Sequence, residues 1–240
     1  MRRDHRPNWL RRLAQAFEAW RTRHFLYPQF ESFGDGGHIA RPQNINVHGR
    51  GISAGNNVHM AATATQNIWL TSWQWWDSHG RIEIGDCVLL TPGVRISSSQ
   101  NVKIGKGTML ASNVYITDSD WHGTYDRTAE AGKSAPVELK ENVWIGDSTI
   151  ICKGVTIGEN SIVGAGSVVV DDIPANAIAA GVPAVVVREL DANEPRRTRM
   201  DYFVDPEKLD ADMEMLHRQM LQGNSFLGWL RALIAPRRGD

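Results

Sequence analysis

Large aliphatic residues recur every six positions through the middle of this chain. Eleven positions in three groups keep this interval, and each carries Ile, Leu or Val: Ile84, Leu90, Ile96, Ile104, Leu110, Ile116, Ile145, Ile151, Ile157, Val163 and Val169. The residues two positions earlier are all β-branched or small. A strict period of six drifts around the axis of an α-helix and cannot form one helical face. The repeat therefore excludes a helical middle region and indicates short extended segments.

The same period predicts a chain wound as a triangular prism. Each six-residue segment forms one flat side, its aliphatic residue points to the axis, and Gly eases the corner. Three sides make a coil of about eighteen residues, and coils stack at about 4.8 Å. We expect an all-β solenoid, a parallel β-helix of hexapeptide repeats. Earlier, looser coils are indicated by Ile39, Ile45, Ile52 and Val58, and residues 68–81 are expected to form an irregular side or bulge.

Three parts follow from this pattern. Residues 1–37 are predicted to be a basic amphipathic helix with a linker, residues 38–187 the β-helix, and residues 188–240 a helical extension. Asn8 is the expected N-cap of the first helix, whose apolar stripe comprises Trp9, Leu10, Leu13, Phe17 and Trp20. Asp205 is the expected N-cap near the C-terminus, ahead of the stripe Leu209, Met213, Leu216 and Met220.

Charge and composition exclude several classes of protein. The net charge of −1 over 240 residues provides no field for nucleic acid binding. Two cysteines are too few for a disulfide framework or a zinc site, and no long apolar run or signal sequence is evident, so we expect a cytoplasmic protein. The first helix carries seven arginines and two acids within residues 1–25. Its stripe either docks on its own domain or a sister subunit, or makes peripheral contact with an anionic membrane.

The repeat is interrupted twice. Two extra residues stand between Ile96 and Ile104, and Ile145 follows Ile116 by twenty-nine positions, so a loop over residues 117–137 leaves the prism. This loop contains His122, a side chain suited to general-base catalysis near neutral pH. Asp118, Asp120 or a backbone carbonyl is expected to orient its ring, while Asn113 and Trp121 are candidates for shaping an acceptor site.

The chain resembles the hexapeptide-repeat acyltransferases, above all the maltose, galactoside and chloramphenicol-type O-acetyltransferases and those of surface-polysaccharide clusters. The likeness is strong over residues 84–190 and rests on Val143-Trp144-Ile145-Gly146-Asp147, the run Ile157 to Val169, and Ala180-Gly181-Val182-Pro183-Ala184. It implies a left-handed winding, a homotrimer with active sites between adjacent prisms, and acetyl-coenzyme A as co-substrate rather than a resident cofactor. It also supports His122 as the catalytic base.

The resemblance further implies where the donor binds. The residues that would contact coenzyme A are Trp144, Gly146, Asp147, Gly164, Ala165, Val182, Pro183 and Arg188. In two places the chain departs from the pattern. Val170-Asp171 stands where related enzymes often have Thr-Lys, and Val185 stands where they often carry Lys, so two contacts to coenzyme A are expected to be missing.

The resulting hypothesis is an acetyl-coenzyme A-dependent O-acetyltransferase that acts on a hydroxyl of a sugar or glycan without a covalent acyl-enzyme. A tryptophan group offers a platform for a sugar ring or, alternatively, structural packing: Trp69, Trp73, Trp75, Trp76 and Trp121. Two other function classes are a non-catalytic β-helix scaffold and a γ-type carbonic anhydrase. The anhydrase needs three histidines on a metal, and His48, His59, His79 and His122 do not occupy equivalent coil positions, so no metal is expected.

Overall fold

The computed structural model describes residues 3–75, 78–128 and 132–238 of the 240-residue chain. It divides into two compact units. The larger unit is Arg21–Asp201, and the smaller unit combines Met1–Trp20 with Tyr202–Asp240. The larger unit contains the repeats, and the smaller unit contains most of the helical residues of both chain ends.

The larger unit is a β-solenoid whose turns each consist of three short strands. The chain order is β1 (Ser32–Phe33), β2 (His38–Ala40), β3 (Ile45–His48); β4 (Ile52–Ala54), β5 (His59–Ala61), β6 (Ile68–Ser72); β7 (Gln74–Trp75), β8 (Ser78–His79); β9 (Ile82–Ile84), β10 (Leu89–Leu90), β11 (Arg95–Ser98); β12 (Val102–Ile104), β13 (Met109–Leu110), β14 (Tyr115–Thr117); β15 (Val137–Leu139), β16 (Trp144–Ile145), β17 (Ile150–Ile151); β18 (Thr156–Ile157), β19 (Ile162–Val163), β20 (Val168–Val169); β21 (Ala177–Gly181), β22 (Ala184–Glu189). Strands β7 and β8 pair antiparallel with each other and belong to none of the three-strand turns.

Each strand of a turn pairs in parallel with the equivalent strand of the next turn. The three strands of every turn therefore belong to three different sheets. Sheet A has the order β1-β4-β9-β12-β15-β18, sheet B the order β2-β5-β10-β13-β16-β19-β21-β22, and sheet C the order β20-β17-β14-β11-β6-β3. The eleven aliphatic residues of the six-residue repeat all lie in these strands and are at most 3% exposed. The predicted hexapeptide core is therefore confirmed.

The corners between sheets hold the turns in register. Asn142, Asn160 and Asn176 each adopt a left-handed backbone conformation, with φ of 54°, 60° and 56°. Asn142 Nδ2 donates to Asn160 Oδ1 at 3.0 Å, and Asn160 Nδ2 donates to Asn176 Oδ1 at 3.2 Å. Asparagine tolerates this region of φ better than most residues, and the ladder of amides ties three successive turns together.

Residues 68–81 differ from the predicted irregular side. Ile68–Ser72 is a regular strand, β6, and it pairs with both β3 and β11. The irregularity begins only after it, where Gln74–Trp75 and Ser78–His79 pair antiparallel as β7 and β8. Trp76 lies outside the described residues.

The end of the solenoid also has a feature that the repeat did not predict. Strand β22 pairs antiparallel with β21 and occupies the terminal position of sheet B. It runs to Glu189, past the expected end of the β-helix at residue 187. Its Ala184 is buried, whereas Val185 and Val187 are about 60% exposed, at 59% and 60%.

The smaller unit is helical. It contains α2 (Pro206–Met220) and α3 (Phe226–Ile234), and all but the last residue of α1 (Asn8–Arg21). Asp205 caps α2, since its Oδ1 accepts from Lys208 N at 3.0 Å, as predicted. Within this unit Trp9 stacks on Phe226 with ring centroids 6.1 Å apart, and the Arg11 guanidinium pairs with Glu214. Across the described residues, no helix is both long and apolar enough to cross a membrane.

His59 contacts Arg199, which lies in the segment after β22. His59 Nδ1 is 3.2 Å from Arg199 Nη2, and the His59 ring packs edge-on against His38 with centroids 4.8 Å apart. Burial, with smaller contributions from His38 and Arg199, lowers the pKa of His59 to about 4. The neutral ring can then accept a hydrogen bond from the guanidinium.

This arrangement predicts that stability falls in mild acid. The unfolded imidazole binds a proton near pH 6.5, whereas the folded one does so near pH 4. The unfolded state therefore binds more protons between these values, and the free energy of unfolding decreases as pH falls through this window, by at most about 3 kcal/mol. Denaturant unfolding at pH 4.5, 5.5 and 7 measures the effect, and His59→Gln is expected to flatten it. Equal pH dependence in the two proteins would exclude His59 as the cause.

Candidate active site

The loop that interrupts the repeat leaves the solenoid through a paired neck. Ser119 and Ser134 form an antiparallel bridge, Asp120 N donates to Lys133 O, and Ala135 N donates to Asp118 O, the last two at 2.9 Å. The backbone polar groups at this neck are thus satisfied by each other. The antiparallel pairing of residues 118–120 with residues 133–135 therefore fixes the base of the loop.

Asp118 anchors that neck to the preceding turn. Its buried carboxylate accepts from Ser98 Oγ at 2.7 Å, Ser99 N at 2.7 Å and Gln100 N at 2.9 Å. Ser98 is the last residue of β11, and Ser99 and Gln100 follow it in the segment between Ile96 and Ile104 that contains the two extra residues. This segment therefore has a function that its sequence did not reveal, because it presents two backbone amides and a hydroxyl to the loop.

Asp120 ties the neck to the following turn, where Lys153 Nζ donates to its Oδ1 at 2.6 Å. His122 lies two residues further on with an exposed side chain. Among the described residues the His122 ring has no hydrogen bond, so neither Asp118 nor Asp120 orients it in this chain. The Trp121 ring lies 5.8 Å from the ring of Trp73, between centroids, which packs the start of the loop tip against the region before β7.

The predicted donor residues lie together along sheet B and the corner that follows it. Trp144, Ile162, Ile178 and Arg188 are successive partners on the outward face of the sheet. At the adjoining corner, three successive turns each contribute two residues: Gly146-Asp147 after β16, Gly164-Ala165 after β19 and Val182-Pro183 after β21. The structure therefore brings the eight residues to one edge of the solenoid.

Close contact between turns explains the glycine at this corner. A Cβ on Gly146 would lie 2.5 Å from Ala165 N, closer than atoms can approach. The amide of Gly146 donates to Val163 O, and that of Gly164 donates to Ala179 O, each at 2.8 Å. Both amides already donate hydrogen bonds to the neighbouring turn. Bound acetyl-coenzyme A would therefore contact the remaining backbone atoms of these glycines.

Asn113 lies at the same corner, one turn before Asp147. Its φ is 60°, its N–H donates to Pro92 O, and its Oδ1 accepts from Gln66 Nε2 at 3.0 Å. The loop with His122 emerges from a different corner, between sheets C and A. Within one chain the structure therefore does not bring His122 to the edge that carries Asn113 and the predicted donor residues.

Within residues 3–75, 78–128 and 132–238, no group of three or more His, Cys, Asp or Glu side chains is placed to hold a metal ion. His48 packs near Trp73, with ring centroids 6.2 Å apart, and His59 contacts His38.

A solenoid built from six-residue sides places the chain in the class of hexapeptide-repeat proteins. Residues 136–171 match the family described as "Bacterial transferase hexapeptide (six repeats)". The chain is 35% identical over 148 residues to galactoside O-acetyltransferase of Escherichia coli strain K12, covering 61% of this chain and 72% of that protein. The chain therefore belongs to the hexapeptide-repeat acyltransferase family, as its sequence predicted.

Two further relatives have related descriptions. A putative lipopolysaccharide biosynthesis O-acetyl transferase, WbbJ, from the same Escherichia coli strain is 34% identical over 126 residues, covering 47% of this chain and 64% of that protein. A solved structure described as galactoside acetyltransferase in complex with coenzyme A is 26% identical, with a TM-score of 0.46, and covers 77% of this chain and 82% of that one. The chain thus spans somewhat less than two thirds of the WbbJ sequence.

Proposed function

We propose that this protein transfers an acetyl group from acetyl-coenzyme A to a hydroxyl group of a sugar or glycan. The observation that carries the proposal is the exposed His122, one residue beyond Trp121 and the anchored neck of the loop, in a member of this acyltransferase family. The relatives described as galactoside and lipopolysaccharide O-acetyltransferases support a carbohydrate acceptor.

In the proposed reaction His122 acts as a general base. Its ring accepts the proton of the acceptor hydroxyl as that oxygen attacks the thioester carbonyl. The tetrahedral intermediate collapses with loss of the coenzyme A thiolate, which takes the proton from His122. A backbone amide near Asp147 is the proposed donor to the oxyanion.

A direct transfer needs no acyl-enzyme. Burial raises the pKa of both cysteine thiols, Cys87 and Cys152, which disfavours the thiolate form that a cysteine nucleophile requires. The mechanism therefore requires acetyl-coenzyme A and acceptor to be bound together.

The donor is proposed to lie along the corner after sheet B. On the outward face of sheet B, the donor would contact Trp144, which is 48% exposed, and Arg188. At the far end of the corner it would contact Pro183 and Val182, which is 71% exposed. We place the pantetheine arm beside Gly146, Asp147, Gly164 and Ala165, with Arg188 reaching a phosphate. Val170-Asp171 and Val185 offer no cation there, so Arg188 is the main charged contact.

Because His122 and the donor edge occupy different corners of one chain, the complete site is proposed to form between neighbouring chains of a homotrimer. In this arrangement the loop of one protomer faces the donor edge of the next. Light scattering should give about three times the 26.7 kDa of the chain. A monomer at micromolar concentration that still turns over would contradict the interfacial site.

Three further properties belong to this proposal. The winding is left-handed, the protein is cytoplasmic, and nucleic acid is not a partner, in keeping with a net charge of −1. Peripheral membrane contact through residues 1–25 stays a prediction, and sedimentation with anionic liposomes at low salt decides it.

The test of the proposal is thiol release from acetyl-coenzyme A in the presence of a panel of sugars. The wild-type protein should release coenzyme A only with a hydroxyl acceptor, and mass spectrometry should find the acetyl ester on the sugar. A protein that neither binds acetyl-coenzyme A nor releases thiol would be a scaffold. Metal analysis and carbon dioxide hydration assays separate the carbonic anhydrase alternative.

A further inference from the structure

The larger unit contains a cavity of about 620 Å³ that lies away from the predicted donor edge. One wall is the outward face of β3 and β6, and the other is the helical segment just before the solenoid, with Phe25. The sheet wall follows from register, since Asn46 pairs with Trp69 and His48 pairs with Thr71 on neighbouring strands. Its volume is within the range of about 300–1,000 Å³ found for small-ligand sites.

The lining has the chemistry of a carbohydrate site. The indole of Trp69 is 46% exposed, and its flat face suits the apolar face of a sugar ring. Asn46, Gln29 and Gln43 line the same cavity, and each side-chain amide both donates and accepts hydrogen bonds, as sugar hydroxyls do. Gln29 Nε2 donates to Phe25 O and Asn46 Nδ2 donates to Ile68 O at 3.5 Å, so their amide oxygens are left to accept from a ligand. A sugar hydroxyl can donate to these oxygens, whereas an alkyl chain cannot. All lining residues are described; none is acidic and Arg21 is basic, so the lining matches a neutral or anionic sugar and not a cationic ligand.

The cavity is linked to the proposed catalytic loop through two tryptophans. Trp73 lines the cavity and packs against Trp121, with 5.8 Å between ring centroids. Trp121 directly precedes His122. A molecule that occupies the cavity and extends past Trp73 therefore runs toward the residue proposed to activate the acceptor hydroxyl.

We infer that this cavity is a distal sugar subsite, which binds a residue of an oligosaccharide while another residue of the same chain is acetylated near His122. The inference rests on the proposed function and deepens it, because it makes the acceptor an oligosaccharide rather than a free monosaccharide. Trp69 stacks on the distal sugar ring, and Asn46 bonds its hydroxyl groups. The subsite raises affinity for longer acceptors without taking part in the chemical step.

Binding is tested first without acetyl-coenzyme A, on a printed array of mono- to hexasaccharides. The wild-type protein should retain oligosaccharides and not monosaccharides. Trp69→Ala should weaken the affinity for the best oligosaccharide by about tenfold, the equivalent of about 1.4 kcal/mol. Trp69→Phe, which keeps an aromatic face, should stay within about threefold of wild type. Trp20→Ala is the matched control, since Trp20 is also 46% exposed but does not line the cavity.

Kinetics with the best oligosaccharide and with its terminal monosaccharide separate this inference from the proposed function. Trp69→Ala should raise KM for the oligosaccharide by about tenfold at nearly constant kcat, and so erase the preference for the longer acceptor. If the wild type transfers acetyl groups but Trp69→Ala keeps that preference, the subsite is wrong and the transferase stands. If Trp69-dependent binding occurs without any thiol release, the transferase is wrong and the cavity is still a sugar site. An array on which the wild type binds no oligosaccharide overturns the inference.

Discussion

Replacing His122 by alanine is expected to lower kcat by a factor of about 10²–10⁴, the usual contribution of a general base. The affinity for acetyl-coenzyme A should be nearly unchanged, because the proposed contacts to the donor are made by other residues. The exposed position of His122 also means that little stability is lost. Thiol release and a thermal shift with acetyl-coenzyme A measure the two effects in the same preparation.

Tyr125 provides the control for this experiment. It lies in the same loop, is fully exposed and has no assigned role, so Tyr125→Ala should retain wild-type turnover. Equal kcat values in wild type and His122→Ala would remove His122 from the mechanism.

Asp118→Ala is expected to have the second largest effect, on stability and turnover together. The buried carboxylate accepts hydrogen bonds from two backbone amides and one hydroxyl. Its removal leaves the amide of the buried residue Ser99 without this acceptor. Hydrogen bonds to a charged group are worth about 1.5–3 kcal/mol each, and we expect a net loss of about 3 kcal/mol in the free energy of unfolding. Turnover should also fall, because the neck of the loop that carries His122 loses its anchor.

Two variants make this prediction specific. Asp118→Asn keeps the size and one acceptor oxygen, so its loss of stability should be intermediate. Asp126→Ala removes an exposed carboxylate from the same loop and should change the free energy of unfolding by less than about 0.5 kcal/mol. Denaturant unfolding compares the three, and an Asp118→Ala protein as stable as Asp126→Ala would show that the buried carboxylate is not an anchor.

The core of the solenoid could be predicted because each turn repeats one rule, an aliphatic residue facing the axis every sixth position. The region before residue 82 escaped that rule for a physical reason. The inward residues Met60 and Leu70 are ten positions apart, because a turn in which Thr63 N donates to Gln66 O is inserted between them. The strand after the insertion is regular, but its register is shifted relative to the six-residue count.

The candidate site was predictable only in part. A break in the period locates the loop of His122, since an uninterrupted coil has no room for a long excursion. The partners of Asp118 could not be found in the same way, because two of its three closest donors are backbone amides, which carry no residue signature. The cavity was likewise hidden, since its walls come from Phe25 and its neighbours and from strands some twenty to fifty residues further along.

The antiparallel strand β22 closes one of the three sheets, sheet B, at the end of the solenoid. A stack of parallel turns ends in a row of open backbone donors and acceptors, and an identical chain could continue the stack from there. Strand β22 folds back on β21 and is the last strand of sheet B, where it runs antiparallel to the others. A strand from a further turn could therefore not pair in parallel with β21. Without residues 184–189, β21 would be an open edge of sheet B, available for pairing with a strand of another chain.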